Sequence, residues 1–129
     1  MSSAAPSATA APRPTPPLNA LLDSLIPAAD PERVPEPEEV YLAFSEWAES
    51  TGRPLYPHQG EALSEILQGR HVIAATPTGS GKSMIALAAH TASLARGGRS
   101  YYTAPLKALV SEKFFELVRL FGADNVGMV

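Results

Sequence analysis

The apolar positions of this chain fall into two rhythms. The first is helical. Leucines recur at Leu18, Leu21, Leu22 and Leu25, a spacing that predicts a short helix over Leu18–Ile26 with one apolar face. Val40, Phe44 and Trp47 form a second stripe over Glu38–Ser50, which opens on acidic residues, as a helix start favours, and stops at Thr51-Gly52. Aromatics at that spacing read as core. Pro57–Leu67 (PHQGEALSEIL) begins on a proline suited to a first turn, sets Ala62, Leu63, Ile66 and Leu67 on its buried side, and closes at Gln68-Gly69. Lys82–Arg96 and Lys107–Phe121 complete the helices, stopped by Gly97-Gly98 and by Gly122.

The second rhythm is that of short strands. His71–Thr76, with the apolar run Val72-Ile73-Ala74-Ala75, and Ser100–Ala104 (SYYTA), broken by Pro105, predict two strands, and Asn125–Val129 reads as a third just starting. Strand, helix, strand, helix, strand is the order of a parallel sheet with crossover helices, an α/β fold. No internal repeat is present.

Composition changes this picture mainly at the N-terminus. Nine of the 13 prolines precede Glu38, and Met1–Pro17 is almost entirely Ser, Ala, Thr and Pro with Arg13 as its only charge. Such a segment cannot bury enough apolar surface to offset the entropy of ordering it, so residues 1–17 are expected to be a disordered tail. It lacks the basic start and apolar run of a signal peptide, and a single arginine is a poor match to a transit peptide. Residues 18–37 read as a short helix, docking on the rest of the protein or on a partner, followed by an acidic, proline-rich linker. Residues 38–129 are the foldable part, near the lower end of what buries a self-sufficient core.

The absence of cysteine excludes disulfides and thiolate metal sites and suits a cytoplasmic location. No apolar run approaches the ~20 residues needed to span a bilayer, so no membrane association is expected. Charge is unevenly spread. Up to Thr51 there are two basic against eight acidic residues, and from Gly52 onwards eight basic against five acidic. An anion-handling surface requires such a basic region, although ordinary solvated charge accounts for these counts equally well.

What decides between them is the stretch Thr76-Pro77-Thr78-Gly79-Ser80-Gly81-Lys82-Ser83, which lies between an expected strand and an expected helix. It matches the phosphate-loop pattern GxxxxGK(S/T) in all but its first position, where Thr76 replaces glycine. Backbone N–H groups of such a loop, with the positive end of the following helix, cradle phosphates. Lys82 would supply a point charge to the β and γ phosphates, and Ser83 a hydroxyl to the magnesium ion that bridges them.

ATPTGSGKS resembles motif I of superfamily 2 helicases of the DEAD/DExH type. TAPLKALVSEKF, Thr103–Phe114, is similar to motif Ia of the Ski-type DExH members. LYPHQGEAL, Leu55–Leu63, resembles the glutamine-containing adenine-recognition segment. The run SEKFFELVRLFGADNVGMV is most similar to a bacterial group with a long uncharacterised C-terminal domain. The resemblance covers about Leu55–Val129 and implies a RecA-like P-loop NTPase domain that uses ATP and Mg2+. It implies that Thr78, Gly79, Ser80, Gly81, Lys82 and Ser83 hold the phosphates, that Lys82 and Ser83 serve catalysis, and that Gln59 reads adenine, with Tyr56 or Phe44 as weaker candidates for stacking. Pro105, Leu106, Lys107 and Ala108 would hold the backbone of a single RNA or DNA strand, with Lys113 adding charge nearby.

A helicase of this type also needs an Asp-Glu pair at a strand end, and after Ser83 the only acids are Glu112, Glu116 and Asp124. The chain therefore reads as an incomplete RecA-like domain, stopping before the DExH motif and lacking the second RecA-like domain of the same polypeptide. Such a piece is expected to be marginally folded and to have no turnover of its own. Two other readings stay open on the residues. One is a different P-loop NTPase, such as a kinase. The other is a non-catalytic interaction protein whose residues 18–37 bind a partner.

Overall fold

The computed structural model describes residues 16–74, 79–104 and 107–128. The expected tail up to residue 15, the end of the first expected strand at Ala75-Thr76, the loop residue Thr78, the pair Pro105 and Leu106, and Val129 lie outside the described residues. The described elements are helices α1 (Leu18–Leu25), α2 (Pro37–Ser50), α3 (Pro57–Leu67), α4 (Gly79–Ala95) and α5 (Lys107–Phe121), with a short 3-10 turn at Ala123–Asn125.

Local chemistry sets these boundaries. Helices α2 and α3 both place proline in their first turn, where a missing N–H costs nothing. In each, a side chain three residues into the helix reaches back to the residue before it: Glu39 accepts from the Glu36 N–H at 3.0 Å and Gln59 from the Tyr56 N–H at 2.8 Å. At the other end of α3, Gly69 takes φ +80°, a left-handed conformation open to glycine at no steric cost. Its N–H donates to the Ile66 carbonyl and that of Arg70 to the Glu65 carbonyl, both at 3.0 Å. The same bond pair closes α2 and α4. A cation adds to the end of α3, where Arg96 Nη2 donates to the Ile66 carbonyl at 2.8 Å.

Helix α4 is the centre of the packing. It lies against α3, α1 and α2, and the small residues Ala88, Ala92 and Ala95 on its buried face let those helices approach. Phe44 and Trp47 from α2, Leu63 and Leu67 from α3, Leu18 and Leu25 from α1, and Leu120 and Phe121 from α5 complete one core. Leu18 and Phe44 are fully buried, each stabilising the fold by roughly 1.5–3 kcal/mol relative to exposure. Helix α1 is thus docked on its own chain, against α2, α4 and α5. Two polar ties fix it there. Trp47 Nε1 donates to the Pro16 carbonyl at 2.9 Å. Arg33 Nη1 donates to the Leu25 carbonyl at 2.7 Å, while its Nη2 meets both oxygens of Glu39 at 2.7 and 2.6 Å. The guanidinium and the Glu36 N–H hold the Glu39 carboxyl below its ordinary value.

The expected parallel sheet is not seen among the described residues. No strand is present among the described residues: His71–Ala74 and Ser100–Ala104 run without ladder partners, and Asn125 closes the 3-10 turn instead of opening a strand. Ile73 is 98% exposed and Tyr101 74%. A helix satisfies its own backbone groups, whereas a strand needs a neighbour to do so. In the sheet order that the resemblance implies, the strand bearing the phosphate loop is flanked by later strands, and among the described residues these segments have no strand to pair with.

Candidate functional site

Helix α4 begins at Gly79, three residues before the Lys82 start expected from its apolar pattern, so Gly79, Ser80, Gly81, Lys82 and Ser83 all lie in its N-terminal region. Glycine is a poor helix former, which is why propensity places the start late. The consequence is that the loop's last residues are carried on the positive end of a 17-residue helix. Lys82 is exposed, Gly81 buried and Ser83 half-buried. An exposed cation beside an N-terminal helix turn is chemically suited to an anion.

Gln59 joins α3 to that turn. It is only 6% exposed. Its Oε1 accepts from the Tyr56 N–H, and its Nε2 points to the Gly81 carbonyl at 3.4 Å, a long contact. Neither aromatic neighbour considered for stacking shares its position. Phe44 is in the core, tilted against Trp47 with centroids 5.3 Å apart, whereas Tyr56 is exposed and lies parallel to His58 at 6.0 Å.

On the far side of Ser83 stands Lys113 of α5. Its Nζ donates to Ser83 Oγ at 3.2 Å and to Glu116 Oε1 at 3.4 Å, and lies 5.9 Å from the centre of the Tyr102 ring. Next to it, His90 of α4 is buried between Tyr102 and the edge of Phe121, with Nδ1 2.6 Å from Ser100 Oγ. Its Nε2 finds no hydrogen-bond partner among the described residues. Burial, and then the charge of Lys113, pushes the His90 imidazole below its ordinary value of 6.5. Helices α4 and α5 therefore meet through long and aromatic side chains.

Lys107 and Ala108 are exposed in the first turn of α5. Among the described residues Lys107 makes no hydrogen bond or ion pair to Lys82 or Ser83. The structure thus brings Gln59 to Gly81 and Lys113 to Ser83, and leaves Lys107 and Ala108 exposed. Among the described residues no three His, Asp or Glu side chains gather as a metal site. A hard divalent ion here would take the Ser83 hydroxyl and complete its shell with phosphate oxygens and water, which suits magnesium.

Sequence reasoning did not single out His90 and gave Lys113 only a general charge. Neither carries a local signal. His90 sits in an Ala-rich helix, and its burial depends on Tyr102 and Phe121 reaching over it from distant positions.

The glycine-containing start of α4, with Lys82 and Ser83 in sequence, fits the pattern of a phosphate loop, and the comparisons with known proteins give its family. The chain belongs to the DEAD/DEAH box helicase family, whose sequence profile matches residues 56–128, from just before α3 to beyond the 3-10 turn. It is 47% identical over 68 residues to the DExH-box ATP-dependent RNA helicase DExH15, chloroplastic, of Arabidopsis thaliana, covering 53% of this chain and 6% of that protein. To the ATP-dependent DNA helicase Hel308 of Methanocella arvoryzae it is 45% identical over 74 residues, 56% of this chain and 10% of that one. The probable helicase HelY of Mycobacterium tuberculosis is 37% identical over 71 residues, 55% of this chain and 8% of its own. The chain thus spans a tenth or less of the length of these three relatives. No solved structure matches it. Among the described residues no helix is long and apolar enough to cross a membrane.

Proposed function

We propose that this chain is the N-terminal part of an ATP-dependent, DExH-type RNA or DNA helicase of the cytoplasm, binding ATP phosphates at the start of α4. The carrying observation is the start of α4, where an exposed Lys82 and a half-buried Ser83 follow Gly79-Ser80-Gly81 inside the stretch that matches the helicase family. In this reading Thr78 to Ser83 wrap the phosphates, Lys82 neutralises the β and γ groups, and Ser83 gives magnesium one oxygen. Bound magnesium would offset the phosphates' charge.

Gln59 fits adenine recognition chemically. It spends one lone pair on the Tyr56 N–H and one proton on the Gly81 carbonyl, which leaves an acceptor and a donor for the base edge. Its burial means that adenine would meet it at the rim of α3, beside exposed Tyr56. Pro105, Leu106, Lys107 and Ala108 would hold one strand's phosphates, with the free N–H groups of the α5 start adding to the Lys107 charge. Phosphate contacts do not separate RNA from DNA, and the relatives above include one named for each.

The division follows the same reading: a tail to residue 17, a helix and linker over 18–37, and the first part of RecA-like domain 1 from 38 on. Closure against a second RecA-like domain of the same polypeptide would provide hydrolysis and strand movement. The test is binding of a fluorescent ATP analogue, with turnover measured beside it. The full chain should bind, Lys82→Ala should bind about tenfold more weakly or worse, as loss of a charge-assisted phosphate contact dictates, and neither should hydrolyse ATP. Binding indifferent to Lys82, or turnover abolished by its removal, would each contradict part of this reading.

A further inference from the structure

We propose that Lys113 is a positioning residue of the nucleotide site, a built-in cation that holds the Ser83 hydroxyl in the metal-free protein and competes with magnesium for it. This rests on the nucleotide reading above and concerns only how Ser83 becomes available.

The geometry is specific. Lys113 Nζ sits 3.2 Å from Ser83 Oγ, reaching across from another helix, and the side chain is 23% exposed, so its charge is incompletely screened. A magnesium ion binds oxygen at about 2.1 Å. With Nζ 3.2 Å from the same oxygen, ion and ammonium would stand within about 5 Å of each other unless Lys113 moved. Two cations that close in a half-buried site repel strongly.

Lys113 also has somewhere to go. Glu116, one turn along α5, is already 3.4 Å away, and the Tyr102 ring offers its face at 5.9 Å. The ammonium can release Ser83 and keep a counter-charge and an aromatic face. Glu116 therefore sets how readily Lys113 lets go. Removing the carboxylate should tighten the hold on Ser83, and removing the ammonium should abolish it.

The experiment titrates Mg2+ into the full chain with a fluorescent ATP analogue and repeats the binding in EDTA, so that the readout is the ratio of affinities with and without the metal. Lys113→Met should raise that ratio by about fivefold, and should leave the EDTA affinity equal or weaker, because a positive charge has gone. Glu116→Gln, nearly isosteric and with no hydrogen bond to Ser83 among the described residues, should lower the ratio. It keeps the test decisive if Lys113→Met does not fold, as judged by circular dichroism. A ratio unchanged in the variants that fold, with binding still dependent on Lys82, overturns the role of Lys113 alone. Absence of any Lys82-dependent binding in the unmodified chain overturns the nucleotide reading, and this inference with it.

Discussion

Two regions of the molecule that both carry large apolar side chains end in opposite states. The helical core around α4 buries Leu18, Phe44, Leu63 and Phe121 almost completely, while the apolar segments on either side of that same helix leave Ile73 and Tyr101 in solvent. Hydrophobicity alone does not explain the difference. Each helix closes its own hydrogen bonds and needs only a face to pack, and α1 to α5 provide faces for one another. His71–Ala74 and Ser100–Ala104 need partner strands for their backbone before burial can follow. Helix α4 is therefore packed on α1, α2 and α3, while the Ser100–Ala104 segment meets it through single side chains such as those of Ser100 and Tyr102.

The largest effect that sharpens this comparison is expected from the core. Phe44→Ala should cost about 3–5 kcal/mol, enough to unfold most of a marginal domain, read as loss of a cooperative thermal transition. Gly69→Ala tests the helix ends instead. A Cβ there meets no atom within 4 Å, so the penalty is the left-handed φ of +80° alone, about 1–2 kcal/mol in denaturant unfolding.

Acid should act on two ties in separate windows. His90 titrates below 6.5 in the folded chain because it is buried, so the unfolded chain binds the extra proton first. Its stabilisation is present above 6.5 and is lost as pH falls through the lower folded value. His90→Gln should flatten that part of the melting profile. The Glu39 carboxyl, held below 4.5 by Arg33, should give a second loss only as pH falls below 4.5, and Arg33→Met should remove it. The smallest effect belongs to the exposed flanking segments. Ile73→Ser should change stability by less than about 0.5 kcal/mol, and a larger loss would mean that His71–Ala74 is packed after all.

The same contrast explains what could be read from residues. Helix α5 was legible to both ends because Pro105 precedes it and Gly122 follows it, and α3 because Pro57 and Gly69 punctuate it. The start of α4 was placed late, since Gly79 and Gly81 lower helix propensity while the loop's helical geometry overrides it. The strands were legible as pattern, in Val72-Ile73 and Tyr101-Tyr102, but a strand's existence depends on neighbours that lie elsewhere in sequence. In the site, the Gly79–Ser83 turn was legible from spacing. The contacts beside it were not: Lys113 to Ser83 spans 30 residues, and the packing around His90 requires knowing how Phe121 returns to α4.

The central claim is that the start of α4 binds nucleotide phosphates while the core beneath stays as it is. Amide chemical shifts of the full chain on adding Mg·ATP test it most directly. Expected are changes concentrated at Gly79–Ser83 and at Tyr56–Gln59, little change in α1 and α2, and the same changes in Lys82→Ala only at about tenfold higher Mg·ATP or more. Shifts centred on α1 and α2, or unaltered by Lys82→Ala, would contradict it.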